Sequence, residues 1–353
     1  MDVPEPAPHD AARSDRPDAS TETTPPASRG IARTRAYRSG VLTAEDFPVA
    51  DVSEYLDEPD TVVWIDLCAP ATQQLHELAD ELGLHDLAIE DVIKSRQRPK
   101  VDYYPTHLFL SCRAVGVDTD RGRLDETEVD TFVGTRWLVT IRDSDGFPIE
   151  DVLDRWDRST DLARGGVGFF LYGLLDVVVD GYFEAVQAFD YYYDDVSESL
   201  FVDEPIQLER QRQWFDMRRA LVHFHRLAVP MREALSSLMR RDHAVVTEAL
   251  YPYYQDVYDH TLRVSESTES LRDLVSTIVE TNLSLREYRQ NQIVKKVSGW
   301  AAIIAVPAFL TGYFGMNVPY PGSGRISGAI GSTLLIIVIS GGLYLLFRRK
   351  DWL

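Results

Sequence analysis

The sequence predicts an α+β body, specifically an α/β/α sandwich, followed by a long helical stalk that runs into a two-helix transmembrane hairpin. Three observations carry this. Strand-like and helix-like stretches alternate between residues 61 and 156; past Gly168 the apolar period becomes helical; and two apolar segments, 297–312 and 326–347, flank the loop that contains Tyr313-Phe314-Gly315-Met316-Asn317. A membrane crossing takes about 20 mostly apolar residues, and no run before residue 297 qualifies. The chain is therefore a large water-soluble body carrying one terminal hairpin.

Taken in order, residues 1–30 are rich in Pro, Ala, Ser, Thr and Asp with almost no large apolar side chains, the composition of a disordered tail. Residues 31–165 form the α/β domain, with strands expected at 62–67, 107–115, 129–134 and 137–141 and helices at 73–82, 86–94 and 149–156. Residues 166–250 read as a pair of long antiparallel helices joined near 202–205. One carries Leu171, Leu175, Val178, Tyr182, Val186, Phe189 and Val196 on a single face; the other carries Leu208, Phe215, Leu221, Leu227, Met231, Leu235 and Leu238. A third helix begins at Pro252, which suits the first turn, and has no evident stop before Gly312. Its cytoplasmic part, the stalk, covers 251–296. Val257, Val264, Leu271, Ile278 and Leu285 recur there every seventh residue, a seam for packing around an axis shared between copies or, alternatively, a core stripe against the preceding helix pair. The first span covers 297–316, the external loop 317–325, the second span 326–347 and a basic tail 348–353.

Charge orients the hairpin. The formal net charge is -20, yet residues 291–353 hold six Lys/Arg against Asp351, a local +5 that leaves -25 on the rest. Lys295 and Lys296 precede the first span and Arg348, Arg349 and Lys350 follow the second, so both termini are expected in the cytoplasm of a multi-pass protein of the inner (plasma) membrane. The acidic, Pro-rich N-terminus lacks the pattern of a signal peptide. An acidic body disfavours nucleic acid and favours cations. Cys68 and Cys112 are unclustered and read as buried thiols. His223, His225, His243 and His260 show no metalloprotease spacing, and there is no phosphate-binding Gly-rich Lys motif, so no catalytic residue and no enzyme activity is expected; the alternative of a different class is a sensor or enzyme that uses the hairpin only as a membrane anchor.

Gly315-Met316-Asn317 between the last two spans resembles the signature of the CorA family of divalent-cation channels. The likeness covers roughly residues 45–353: Ile89-Glu90-Asp91-Val92 followed by Gln97-Arg98-Pro99-Lys100-Val101 looks like the family's segment in the α/β domain, and Asp256-Val257-Tyr258-Asp259-His260 like its segment on the stalk. The resemblance implies a funnel-shaped homopentamer in the lipid bilayer that passes magnesium, or alternatively zinc, cobalt or nickel, and is gated by cytoplasmic Mg2+. It further implies a selectivity filter at Gly315, Met316 and Asn317, and a regulatory magnesium site to which Asp91 and Asp256 contribute across the subunit boundary. Glu280 matches a position where relatives also carry an acid. Physical chemistry agrees with both assignments. Magnesium keeps its waters, so a ring of amide oxygens can recognise the hydrated ion, and facing carboxylates repel until a divalent ion neutralises them. Without the resemblance, Asn317 reads equally as a helix cap, and Asp91 and Asp256 as caps or surface acids.

On the first span, Asn291, Val294, Val297, Ile304 and Thr311 are the candidate pore-facing residues, with Val294 and Val297 as an apolar constriction. The spacing fits faces through Ile293, Lys296 or Ile303 equally, because a small rotation of the helix exchanges them. The loop after the tripeptide departs from many relatives in carrying Arg325 and no acid.

Overall fold

A computed structural model describes residues 31–201, 207–241, 244–316 and 324–352. The chain divides into two compact units, one built on a sheet and one on helices.

The first unit holds a seven-stranded mixed sheet. Its strands are β1 (Ile31–Arg38), β2 (Val41–Glu45), β3 (Thr61–Cys68), β4 (Lys100–Tyr103), β5 (Leu108–Asp118), β6 (Arg123–Val133) and β7 (Trp137–Arg142), in the spatial order β2-β1-β3-β7-β6-β5-β4. β3 and β7 pair in parallel, and every residue of β3 is buried, as a central strand covered on both faces requires. Helices α1 (Val52–Asp57), α2 (Thr72–Leu82) and α3 (Asp86–Lys94) cover one face, where Val63, Ile65 and Leu67 meet Leu75, Leu78, Ile89 and Val92. On the other face Trp64, the intervening residue, stands edge-on to Trp156 of α4 (Ile149–Arg158), with ring centroids 5.3 Å apart. Trp156 also meets Phe170 near the start of α6 (Val167–Ser199), and its indole N–H donates to the Phe170 carbonyl at 3.0 Å. A one-turn helix, α5 (Thr160–Ala163), links α4 to α6. The layers are thus α/β/α, as the sequence predicts.

The expected helix 86–94 has the bounds of α3, capped by the His85 ring, which accepts from the Leu87 amide at 3.2 Å. α2 ends on Gly83, whose φ of 63° is the left-handed C-terminal conformation that glycine adopts without strain. β1, β2, β4 and α1 were not anticipated. β1 reads Ile-Ala-Arg-Thr-Arg-Ala-Tyr-Arg, too polar for an apolar-run criterion, because Arg33 and Arg35 pair with Glu150 and Asp157 of α4.

The second unit contains the tip between β5 and β6, most of α6 and of α7 (Leu208–Arg241), nearly all of α8 (Tyr251–Phe314), and α9 (Ile326–Arg349). α6 and α7 run antiparallel: Tyr182 and Phe189 flank Phe224, and Asp195 pairs with Arg210. The α6 face is buried as expected except Val186, which is half-buried, but Leu208 and Phe215 of α7 are 59 and 70 % exposed. Leu221, Leu227, Met231, Leu235 and Leu238 are buried as expected, and near the start of α7 Met217 is buried where Phe215 is not. α8 is one helix of 64 residues, about 96 Å at 1.5 Å per residue, and it continues through Pro307. Of the two readings of the heptad seam the core stripe holds for Val257, Val264, Leu271 and Ile278, which are buried within the single chain, while Leu285 is half-buried. His225 of α7 bonds to Thr268 of α8 at 2.9 Å and Phe183 of α6 meets His260, so that side of the helix belongs to the chain's own core. Cys68 and Cys112 are buried free thiols, and burial raises the pKa of both.

Candidate ion path and regulatory carboxylates

The last part of α8 and all of α9 are apolar and exposed along most of their length, with mean hydropathies of 1.6 and 2.2 over the best membrane-length windows. Each has one partly covered stripe. On α8 it passes through Gly299, Ile303, Val306, Leu310 and Phe314, and on α9 through Gly328, Ser332, Ile336, Ile339 and Leu343. Ile303 therefore lies on the covered side, whereas Asn291, Val294, Val297, Ile304 and Thr311 are exposed. The Thr311 hydroxyl donates to the Pro307 and Ala308 carbonyls at 2.9 and 3.0 Å. This is the back-bond of a helix threonine to the preceding turn; the acceptor that Pro307 leaves without an amide donor is the Ile303 carbonyl, four residues earlier.

α8 ends in front of the tripeptide. The Gly315 amide makes the last turn's bond to Thr311 O at 2.9 Å, and Met316 N reaches Tyr313 O at 3.3 Å. A Cβ on Gly315 would lie 3.0 Å from Thr311 O, closer than most side chains tolerate. Met316 is exposed, and Asn317 lies outside the described residues, as does most of the loop assigned to 317–325.

Asp91 sits on the last turn of α3 and is already engaged. Lys100 Nζ lies 2.6 Å from its Oδ2 and 2.7 Å from a carboxylate oxygen of Asp102, and Gln97 Nε2 is 3.4 Å from Asp91 Oδ1. Partial burial works against the Lys100 charge, but the hydrogen bonds to Asp102 and Asp91 outweigh it and raise its pKa. The lysine is delivered there by a pinned turn that the sequence reading did not detect. Ser95 and Arg96 take φ of 43° and 63°, and the Glu128 carboxylate of β6 accepts from the Arg96 and Gln97 amides at 2.6 and 2.9 Å. Arg113 of β5 holds Glu128 at 3.1 Å and donates to Gln97 O at 3.3 Å. The signal was an acid in the middle of a strand, which is costly unless it has such partners.

Beneath that turn, Asp130 is 97 % buried, with Oδ1 lacking a hydrogen-bond partner, and lines a 270 Å³ cavity together with Glu128, Arg142 and Asp143. Burial raises its pKa to about 7; the Glu128 and Asp143 charges push the same way, and Ser111 and Arg113 offset them only in part. Asp256 and Glu280 are both exposed on α8, with Asp256 Oδ1 3.6 Å from His260 Nε2. No group of three or more His, Cys, Asp or Glu able to hold a metal occurs among the described residues.

A family profile described as CorA-like Mg2+ transporter protein matches residues 59–349. The chain belongs to that family. The cobalt/magnesium transport protein CorA of Thermotoga maritima is 27 % identical over 313 residues, covering 87 % of this chain and 89 % of that one. The divalent cation transporter CmaX of Pseudomonas aeruginosa is 22 % identical over 297 residues, covering 84 % and 89 %. The complete structure of the CorA magnesium transporter from Methanocaldococcus jannaschii superposes with a TM-score of 0.73 at 21 % identity, over 92 % of this chain and 99 % of that one. As a CorA-like protein the chain is a divalent-cation transporter of a membrane, and not an enzyme.

Proposed function

We propose that the chain forms a homopentamer in the inner (plasma) membrane that carries hydrated magnesium inward and closes when cytoplasmic magnesium occupies sites between subunits. Both termini are cytoplasmic, the spans are 297–316 and 326–347, and Gly315, Met316 and Asn317 form the outer filter. The observation that carries this reading is the unbroken α8, which ends at the Gly-Met pair and presents Asn291, Val294, Val297, Ile304 and Thr311 on exposed faces. Two spans per chain enclose no pore, so copies must supply the remaining wall. Basic residues at the inner end of each span support the orientation. A divalent ion gains about 4.6 kcal/mol per 100 mV of inside-negative potential, so influx needs no hydrolysis.

Asp91, Asp256 and Glu280 are the regulatory carboxylates of this reading, and Lys100 is the counter-ion that Asp91 keeps when magnesium is absent. Cobalt is the second cargo to consider, because the name of the Thermotoga relative couples the two metals. Flux through the purified protein in liposomes, with magnesium, cobalt and zinc in separate arms and with and without a potassium-diffusion potential, tests the reading. Potential-driven magnesium entry is expected. Zinc or cobalt entry with no magnesium entry at any potential refutes the choice of ion.

A further inference from the structure

We infer that the helical unit carries a binding site for a nucleoside triphosphate, in a cleft between the β5–β6 tip and α7. In a chain of net charge -20, this cleft of about 700 Å³ is lined by five arginines, Arg121 and Arg123 from the tip and Arg218, Arg219 and Arg226 from α7, against one acid, Asp216. Its size is that of small-molecule pockets. The tip is held rather than loose. Gln213 Nε2 donates to the Thr119 and Asp120 carbonyls at 2.8 and 3.3 Å, and Gly122, at φ 66°, sits so close to α7 that a Cβ would lie 3.1 Å from Asp216 Cβ.

Three of the arginines have acids of their own: Arg121 with Asp118 at 3.7 Å, Arg123 with Asp125 at 2.8 Å and Arg219 with Asp216 at 4.0 Å. Arg218 and Arg226 have no carboxylate within ion-pair distance among the described residues, leaving uncompensated positive charge with donor geometry suited to phosphate oxygens. Phe215, one turn before Arg218 and Arg219 on the same face, is the residue expected in the core and found 70 % exposed. An aromatic plane beside clustered guanidinium groups offers stacking for a base and pairing for its phosphates.

A lipid headgroup is the other common source of phosphate, and distance argues against it. His225 contacts Thr268, which precedes Val297 by 29 residues, and α7 runs antiparallel to α8, so Arg226 is on the order of 40 Å and Phe215 on the order of 30 Å of helix away from the apolar span. Magnesium neutralises much of a triphosphate's charge, so an arginine cleft prefers the metal-free nucleotide. Occupancy then rises as free magnesium falls, opposite in sense to a carboxylate site and independent of which ion permeates.

Equilibrium binding to the full-length detergent-solubilised protein tests this, using ATP in EDTA, ATP with excess magnesium, pyrophosphate, adenosine, and vesicles containing phosphatidylglycerol. ATP in EDTA should bind at least tenfold more tightly than magnesium-saturated ATP or adenosine. Arg218→Gln/Arg226→Gln should weaken it tenfold or more. Phe215→Ala should weaken ATP several-fold and leave pyrophosphate unchanged. All three positions are exposed, and unchanged gel-filtration and circular-dichroism profiles of the variants exclude misfolding as the cause. Absence of ATP binding, or full binding by the double arginine variant, overturns the site. Pyrophosphate matching ATP overturns the nucleoside assignment, and preferential vesicle binding lost in the arginine variant overturns the soluble-ligand assignment.

Discussion

Replacing Asp130 by Asn should remove one defined part of the α/β domain's pH dependence, the part that falls between about pH 4 and 7. The carboxyl is buried with an unpartnered oxygen, and its pKa rises from 3.8 to about 7. The native state therefore holds this proton more tightly than the unfolded chain does. Its stabilising effect is complete below about pH 4, falls as pH rises, and is gone once pH passes about 7. Three pH units correspond to a ceiling of about 4 kcal/mol, from 1.36 kcal/mol per unit. Asparagine has nearly the same shape and no charge, so the variant should match wild type near pH 4 and exceed it at pH 8 by roughly 2–4 kcal/mol, less whatever its amide loses in finding no partner. Urea unfolding of the full-length protein in detergent, followed by tryptophan fluorescence at pH values between 4 and 8, reads this directly, because Trp64 and Trp156 lie in the same unit. If the variant keeps the wild-type pH slope, or is less stable than wild type at pH 8, the buried carboxylate is not the source of the slope and the reasoning fails.

Other outcomes follow from the membrane and regulatory residues. Lys100→Met should free Asp91 and lower the magnesium concentration that gives half-maximal protection from protease by about two- to fivefold, the worth of a partly exposed ion pair; a higher requirement would mean that Lys100 helps to build the site. Asp256→Ala should weaken the magnesium dependence of that protection, and a full wild-type response makes Asp256 a surface acid. Asn317→Ala should abolish magnesium uptake in liposomes while the oligomer still elutes intact, and near-normal uptake rules out the filter assignment. Val294→Asp or Val297→Asp should raise basal conductance in planar bilayers by keeping a narrow apolar segment wet, and an unchanged leak in both moves the constriction elsewhere.

Legibility in the sequence followed the strength of the local signal. β3, β7, α3 and α8 were legible because their apolar runs or periods are long and their partners interchangeable. β1 was not, because its arginines are satisfied by acids more than a hundred residues away on α4. The seven-residue repeat on α8 marks the apolar face but leaves its partner open: periodicity fixes which face is apolar, while the layer that covers it is decided by α6 and α7. Asp91 could be picked out from its motif, but its occupation by Lys100 depends on a turn that Glu128 and Arg113 pin from two other strands. Phe215 had the apolar spacing of a core residue and lacked any sign that Met217 would take its place.

The continuity of α8 has a mechanical consequence. A hydrogen-bonded helix bends only gently over such lengths, so a change in its axis near Thr268 reaches the membrane almost undiminished. Over the roughly 43 Å from Thr268 to Val297, a tilt of about 3° displaces the start of the apolar stretch by about 2 Å. Small adjustments around His225 are thereby enlarged at the apolar end of the helix, and α8 acts as a pointer whose tip moves further than the hand that turns it.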